Sequence, residues 1–386
     1  MTSRTKRWAR RVAPLGAAAG ALLLTAGSAA AEIKVAASIA PAHSLVARVM
    51  AGVGEPELVL PPGASPHGYA MKPSEARALE EADLVVWIGP ALESWMERPI
   101  ASLADDARVL TLADAPGVER LEVREGGVWA EHDHDHGHDH GEEAHGDHDH
   151  GAEEAAHDDH DHDHNHAAEK AAHDDHDHDH DHAAEKAAHD DHDHDHDHAA
   201  EEAAHDDHDH DHAGGFDPHL WLDPENAKAW TNAIASALAE VDPDNAARYR
   251  ENAAEAVAEL DALIAEIDAQ VAPARGTPFV VFHDAYHYFE HRFEIEAAGS
   301  ISVGDGAQPG PQRLREVQEA IRTREAACVF TEPQFSPKLA ETAVEGSQAK
   351  IGVLDPIGAS LTPGATLYPE LLRGLARSLT GCLTAS

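Results

Sequence analysis

From Glu32 onward, short apolar runs alternate with amphipathic ones, and each switch falls at a turn residue. "IKVAAS" has the composition of a strand, and "PAHSLVARVMAG" carries apolar positions at helical spacing and ends at a glycine. "ELVL" reads as a short strand, "PSEARALEEA" as a helix opened by Pro73 and Ser74, and "DLVVWIG" as a buried strand. "LESWMERPI" and "VLTL" continue the alternation. Strands that alternate with helices build βα units and a mostly parallel sheet.

The same grammar returns in the last third of the chain. "PFVVF", "EIEAAGSI", "AACVF" and "KIGVLD" read as strands. "DAYHYFEHRF", "PQRLREVQEAIRT", "SPKLAETAVEGSQ" and "YPELLRGLARSL" read as the helices between and after them. Ahead of this region stand "DPENAKAWTNAIASALAEV", a helix with Asp223 as its cap, and a run of nearly 30 residues with an apolar stripe and few breakers. At about 1.5 Å per residue that run would exceed 40 Å, more than the width of a small domain. It predicts a rigid connector over 243–274 between an α/β region at 32–242 and another at 275–386, each with a mostly parallel four-stranded sheet flanked by helices.

Residues 131 to 212 break the pattern. "AAHDDHDHDH" recurs there at 155, 171, 187 and 203, a repeat of 16 residues. His-Asp alternation has the period of a strand, yet both faces would be polar, so nothing could be buried and disorder is expected. The closure entropy of a long surface loop grows slowly, about 0.6 kcal/mol per doubling, so a domain tolerates the insertion. This window holds 27 of the 33 histidines, and its 32 acidic residues against two lysines supply about 30 of the 44 net negative charges. Such a balance repels nucleic-acid phosphates and favours cations, metal ions first. His132, His134, His136, His138, His140, His208, His210 and His212 stand for its interchangeable, low-affinity metal ligands.

The N-terminus is basic in "MTSRTKRWARR", apolar in "APLGAAAGALLLTAG", and small at Ala29 and Ala31. That order predicts a secretory signal over 1–31, with an apolar core too short to span a bilayer. No cysteine follows the core to carry a lipid, so the expected mature chain is soluble, exported, and most simply periplasmic. Cys328 and Cys382, the two cysteines of the chain, would most simply pair in an oxidising compartment. The bridge would close a loop of about 55 residues and stabilise by roughly 4 kcal/mol through chain entropy.

Three histidines outside the tract occupy comparable places. His67 follows the strand "ELVL", His283 follows "PFVVF", and His219 sits in "FDPHLWLDP" where the chain re-enters the fold. Ligands of parallel α/β sheets bind beyond the carboxyl ends of the strands. Imidazole suits zinc, which prefers four tetrahedral N, S or O ligands. The second nitrogen of each ring is expected to donate to a carboxylate or carbonyl. His287 and His291 follow His283 at helical spacing, so His283 and His287 could form a chelate, although surface positions on an amphipathic helix explain both. His43, near the start of the first helix, reads as polar trim near the cleft.

"GASPHGYAMKPS", "DPHLWLDP", "FVVFHDAYHYFE", "CVFTEPQF" and "VLDPIG" resemble, in order and spacing, the zinc-specific substrate-binding proteins of bacterial ABC importers, members of the cluster A-I (cluster 9) family. The likeness covers essentially the mature chain, and the acidic His-rich insertion and the cysteine pair belong to it. It implies two lobes joined by a long helix, with Zn2+ in the cleft between them on His67, His219 and His283. A carboxylate from the second lobe would be Asp355, with water as its competitor, since Pro66 stands where some relatives have a glutamate. Glu332 in "TEPQF" is either a partner of a ligand or purely structural. The implied function is zinc capture for a membrane permease, by a monomer without enzymatic activity that collects or senses zinc on its loop and exchanges it with a periplasmic zinc chaperone. Two other readings stand beside it: a periplasmic metal buffer or resistance protein, and a zinc hydrolase, for which no HExxH helix or clear general base is present.

Overall fold

The computed structural model describes residues 33–124, 126, 128, 215–302, 304 and 309–385. The signal segment 1–31 and the tract histidines His132, His134, His136, His138, His140, His208, His210 and His212 lie outside them.

Four short parallel strands make the first sheet: β1 (Val35–Ala37), β2 (Glu57–Leu58), β3 (Leu84–Trp87) and β4 (Arg108–Thr111), in the order β2-β1-β3-β4. The second sheet repeats this with β5 (Phe279–Val281), β6 (Gly299–Ser300), β7 (Cys328–Thr331) and β8 (Lys350–Val353), in the order β6-β5-β7-β8. All strand pairs are parallel. Between and after the strands run α1 (Ala40–Val49), α2 (Pro73–Glu80), α3 (Pro90–Leu103), α4 (Pro224–Val241), α5 (Ala246–Val271), α6 (His287–Phe293), α7 (Pro311–Thr323), α8 (Lys338–Ala343) and α9 (Leu367–Leu383).

The inner strands β1, β3, β5 and β7 are buried on both faces, so they are apolar at successive positions, whereas the edge strands β2, β4 and β8 are partly exposed. The period of two persists in where the side chains go. Val35, Ala37, Leu84 and Val86 enter a core that continues into the second half, while Ala36, Val85 and Trp87 pack beneath α3 with Met96 and Ile100. In the second sheet Phe279, Val281, Cys328 and Phe330 face that shared core, and Val280 and Val329 face a separate one with Val317 and Ile321 of α7. At Gly352 of β8 a Cβ would lie 2.5 Å from the Phe330 ring, so the aromatic packing requires glycine there.

The shared core is built on α5, whose buried Tyr249, Ala253, Ala256, Leu260, Leu263, Ile267 and Val271 recur every three or four residues. Its 26 residues give a length of about 39 Å. The helix packs against α1 and α4 of the first half and α9 of the second. The expected run over 243–274 begins and ends in short 3-10 turns, Pro243–Asn245 and Ala272–Ala274, so the α-helical part is shorter than the pattern suggested. Asp223 caps α4 as expected, its carboxylate accepting the Glu225 N–H at 2.8 Å. The second half carries the disulfide Cys328–Cys382, which ties β7 to α9. Among the described residues no helix is long and apolar enough to cross a membrane.

One buried charge shapes the first half. Glu93 interrupts the helical backbone of α3 with φ −119° and ψ 51°, and its carboxylate accepts the Ile88 N–H at 2.8 Å where β3 ends. Burial pushes this carboxyl up to about 7, against the lowering effect of Ser38 and of the Ile88 and Gly89 N–H groups.

Candidate metal centre

His67 reaches the centre from the loop after β2. That loop is braced by hydrogen bonds from its own residues and from α3. Trp95 Nε1 of α3 donates to the Pro66 carbonyl at 2.8 Å, and the His67 N–H meets Ser65 Oγ at 3.3 Å. Tyr69 stacks edge-on against Trp95 and donates its hydroxyl to Glu75 Oε1 at 2.8 Å, while Glu75 Oε2 takes the Lys72 N–H. His67 is half-buried, whereas the other two imidazoles are only 5% (His219) and 4% (His283) exposed.

His219 comes from the first turn of the chain after the tract, just before a 3-10 turn at Leu220–Leu222 that buries all three side chains. Asp217 Oδ1 accepts both its backbone N–H at 2.9 Å and its ring Nδ1 at 2.7 Å. Burial pushes the Asp217 carboxyl up to about 6, while the His219 N–H and the neighbouring His287, Arg124 and His283 pull the other way. His283 follows β5, and its Nδ1 meets Glu332 Oε1 at 2.7 Å, both groups buried. A carboxylate only accepts, so Nδ1 of each ring must be the donor, and Nε2 keeps its lone pair. Buried carboxylates thus hold two imidazoles in the tautomer a metal needs.

The ligand atoms of His67, His219 and His283 all lie within 4.8 Å of one another, with the Nε2 atoms of His67 and His219 3.0 Å apart. Zinc held tetrahedrally by imidazole at about 2.0–2.1 Å spaces its ligand atoms by roughly 3.4 Å. The cluster has that scale. The three rings border a cavity of about 20 Å³ whose other walls include Trp221, Phe335, Pro356 and Ile357.

Asp355 is not in this group. Its Oδ1 accepts the N–H groups of Ile357, Gly358 and Ala359 at 3.3, 2.8 and 3.0 Å, and its Oδ2 accepts that of Ser360 at 3.3 Å. The carboxylate thereby shapes the loop that brings Pro356 and Ile357 to the cavity wall. Of the four candidates the structure brings three together and gives the fourth to its own backbone.

His287 opens α6, so His283 precedes that helix and the two do not form a helical chelate. The His287 ring instead lies 3.8 Å from Asp217 Oδ2. His291 is exposed, 3.5 Å from Glu119. His43 is buried rather than trim near the centre: its Nε2 meets the Pro56 carbonyl at 3.0 Å, and burial holds its pKa below the usual range despite that contact.

Around the centre lies a set of charges that motif reading passed over. Arg124 donates to Asp284, the residue after His283, and to Glu290 of α6 at 2.7 Å. Burial works against the Arg124 charge, but Glu290 and Asp284 outweigh it and raise its pKa. Tyr288 accepts the Leu121 N–H at 3.0 Å and donates to the Asp217 carbonyl at 2.9 Å. Glu122 and Phe216 bridge antiparallel, so described residues on both sides of the tract are pinned together and to α6. The Asp217 role had a local signal, a carboxylate two residues before the histidine in "DPH". Arg124 had none, because its partners lie about 160 residues away.

Two four-stranded parallel sheets flanked by helices define a fold that solved proteins share. A crystal structure of ZnuA superposes with TM-score 0.61 at 21% identity, covering 91% of this chain and 98% of the other. A ZnuA deletion mutant with zinc bound gives 0.62, also at 21%, over 92% and 99%. The chain belongs to the family described as zinc-uptake complex component A, periplasmic, whose model matches residues 35–382. Similar proteins include the high-affinity zinc uptake system protein ZnuA of Brucella suis, 43% identical over 91% of each chain. The protein of the same name from Paracoccus denitrificans is 40% identical over 95% of this chain and 97% of its own.

Proposed function

We propose that this protein captures Zn2+ in the periplasm and presents it to the membrane permease of an ABC importer. The observation that carries this reading is the three-histidine cluster, with two rings oriented by buried carboxylates. His67, His219 and His283 are the zinc ligands. Three neutral imidazoles hold a dication without neutralising it, and a fourth position open to exchange lets the cargo leave. Asp355 serves the loop beside the site.

In this reading residues 1–31 are removed on export, 32–242 and 275–386 are the two lobes, and 243–274 connects them. The segment 131–212 collects or senses zinc through many weak ligands and passes it to the histidine site or exchanges it with a periplasmic zinc chaperone. The monomer catalyses no reaction, and zinc is its cargo. The family description and the names of its relatives support transport as the role.

The test is zinc titration of the full chain against a chelator strong enough to silence weak sites. One ion should compete with the chelator in the parent protein and none in His283→Ala. Equal competition by both proteins overturns the assignment.

A further inference from the structure

The segment after β7 carries two polar side chains to the same cavity. Its turn is closed by the Phe335 N–H on the Glu332 carbonyl at 3.2 Å. Glu332 is committed to His283 Nδ1. Gln334 also lines the cavity, and its side-chain Oε1 is buried with no hydrogen-bond partner. Native interiors seldom leave such an acceptor without a donor, and where they do the missing donor is often a water or an ion.

Three imidazoles leave one tetrahedral position on zinc. Asp355 is spent on four backbone N–H groups. The indole of Trp221 donates to the Pro356 carbonyl at 2.6 Å, so it offers the cavity no free donor. The cavity bordered by the three rings has a volume of about 20 Å³, and Gln334 stands on its wall. Water bound to zinc is a strong donor, and it needs an acceptor to fix its direction.

We propose that Gln334 is a positioning residue for the zinc centre: its amide oxygen accepts a hydrogen bond from a water that completes the coordination of His67, His219 and His283. This rests on the zinc-binding reading above. It adds that the fourth ligand is exchangeable and that a neutral amide, rather than a carboxylate, orients it. A neutral acceptor fits a site that must later release its ion, because it steadies the water without adding charge that would bind zinc more tightly.

The experiment uses the full chain, with zinc affinity measured by chelator competition and the visible spectrum recorded with one equivalent of Co2+, before and after azide. Azide should displace the water and change the parent spectrum. Gln334→Leu should keep one site but bind zinc about tenfold more weakly, within the range for outer-shell partners. Gln334→Glu restores an acceptor and should recover or exceed parental affinity, which separates loss of the acceptor from loss of packing. A parent spectrum indifferent to azide, or zinc affinity unchanged in Gln334→Leu, overturns the proposal while leaving the histidine site intact. Parental binding in His283→Ala would instead sink the reading beneath it.

Discussion

The two halves of the molecule repeat one strand order yet hold their imidazoles differently. His67 leaves an edge strand, β2, on a half-buried loop braced by an indole, a tyrosine and backbone N–H groups. His283 leaves a central strand, β5, is buried, and gives its Nδ1 to the carboxylate of Glu332 on the neighbouring strand's loop. His219 completes the contrast, with Asp217 gripping both its ring and its backbone. One fold thus presents a pair of buried ligands locked by carboxylates and a third, half-buried one on a loop braced through Trp95, Tyr69 and Glu75. For a protein that must acquire an ion and give it up, the half-buried ligand is the natural one to arrive last and leave first.

The largest effect that tests this contrast is removal of a locked ligand. His219→Ala or His283→Ala should lower zinc affinity by about a thousandfold or more, beyond the 10–100-fold that outer-shell partners cost. Chelator competition reads it. If His67→Ala were the only damaging change of the three, the ranking of buried and half-buried ligands would be reversed.

Next comes the staple that only the second half possesses. Replacing both Cys328 and Cys382 with serine should cost about 2–5 kcal/mol in denaturant unfolding. Zinc affinity should change little at temperatures where the variant is folded, because the bridge joins β7 to α9 and contributes no group to the histidine cluster.

The first half has a buried carboxyl in place of a staple, and its signature is pH dependence. The Glu93 pKa is raised to about 7 from the ordinary 4.5, so the folded state holds this proton more tightly than the unfolded chain. The stability it confers is complete below about 4.5 and is lost as the pH rises through about 7, a change on the order of 3 kcal/mol. Asp217 and Asp284, both raised to about 6 by burial, add to the same slope. Glu93→Gln should flatten the decline in metal-free unfolding measurements between about pH 4.5 and 7, and an unchanged slope would show that this carboxyl does not carry it.

Much of this architecture was legible in the chain because parallel strands and their helices announce themselves locally. Six of the eight strands fall within the apolar runs that predicted them, and β4 and β7 each overrun theirs by one residue, Arg108 and Thr331; His67, His219 and His283 stood out by their places after strands and beside proline. What escaped was set at long range or by competition. "EIEAAGSI" yields only the two paired residues Gly299–Ser300, and "DAYHYFEHRF" becomes helical only from His287. The ring of His283 is taken by Glu332 across two strands before that helix begins. An aspartate at the end of a strand has two possible jobs, and the sequence does not show that the Asp355 carboxylate accepts four backbone N–H groups. His43 has no local mark of burial, since the carbonyl that satisfies it belongs to Pro56, beyond the end of α1.

A smaller effect separates orientation from ligation. Glu332→Gln and Asp217→Asn keep the shape but weaken the acceptor that fixes the imidazole tautomer. Each should reduce zinc affinity about 10–100-fold with one site retained. Loss equal to that of His283→Ala would mean that the carboxylates do more than orient.

The mildest change addresses the half-buried ligand itself. Trp95→Phe keeps most of the apolar contact with Tyr69 but deletes the hydrogen bond to the Pro66 carbonyl, one residue before His67. A neutral hydrogen bond of this kind contributes about 0.5–1.5 kcal/mol, so zinc affinity should fall no more than roughly tenfold. The decisive readout is kinetic. If His67 is the ligand that detaches first, the loss should appear as faster zinc release to a chelator, with little change in the rate of capture. Glu332→Gln should slow capture as well, because a His283 ring free to rotate must be reoriented before it can bind. Equal acceleration of release by the two variants, with capture untouched in both, would mean that the half-buried and buried imidazoles let go together.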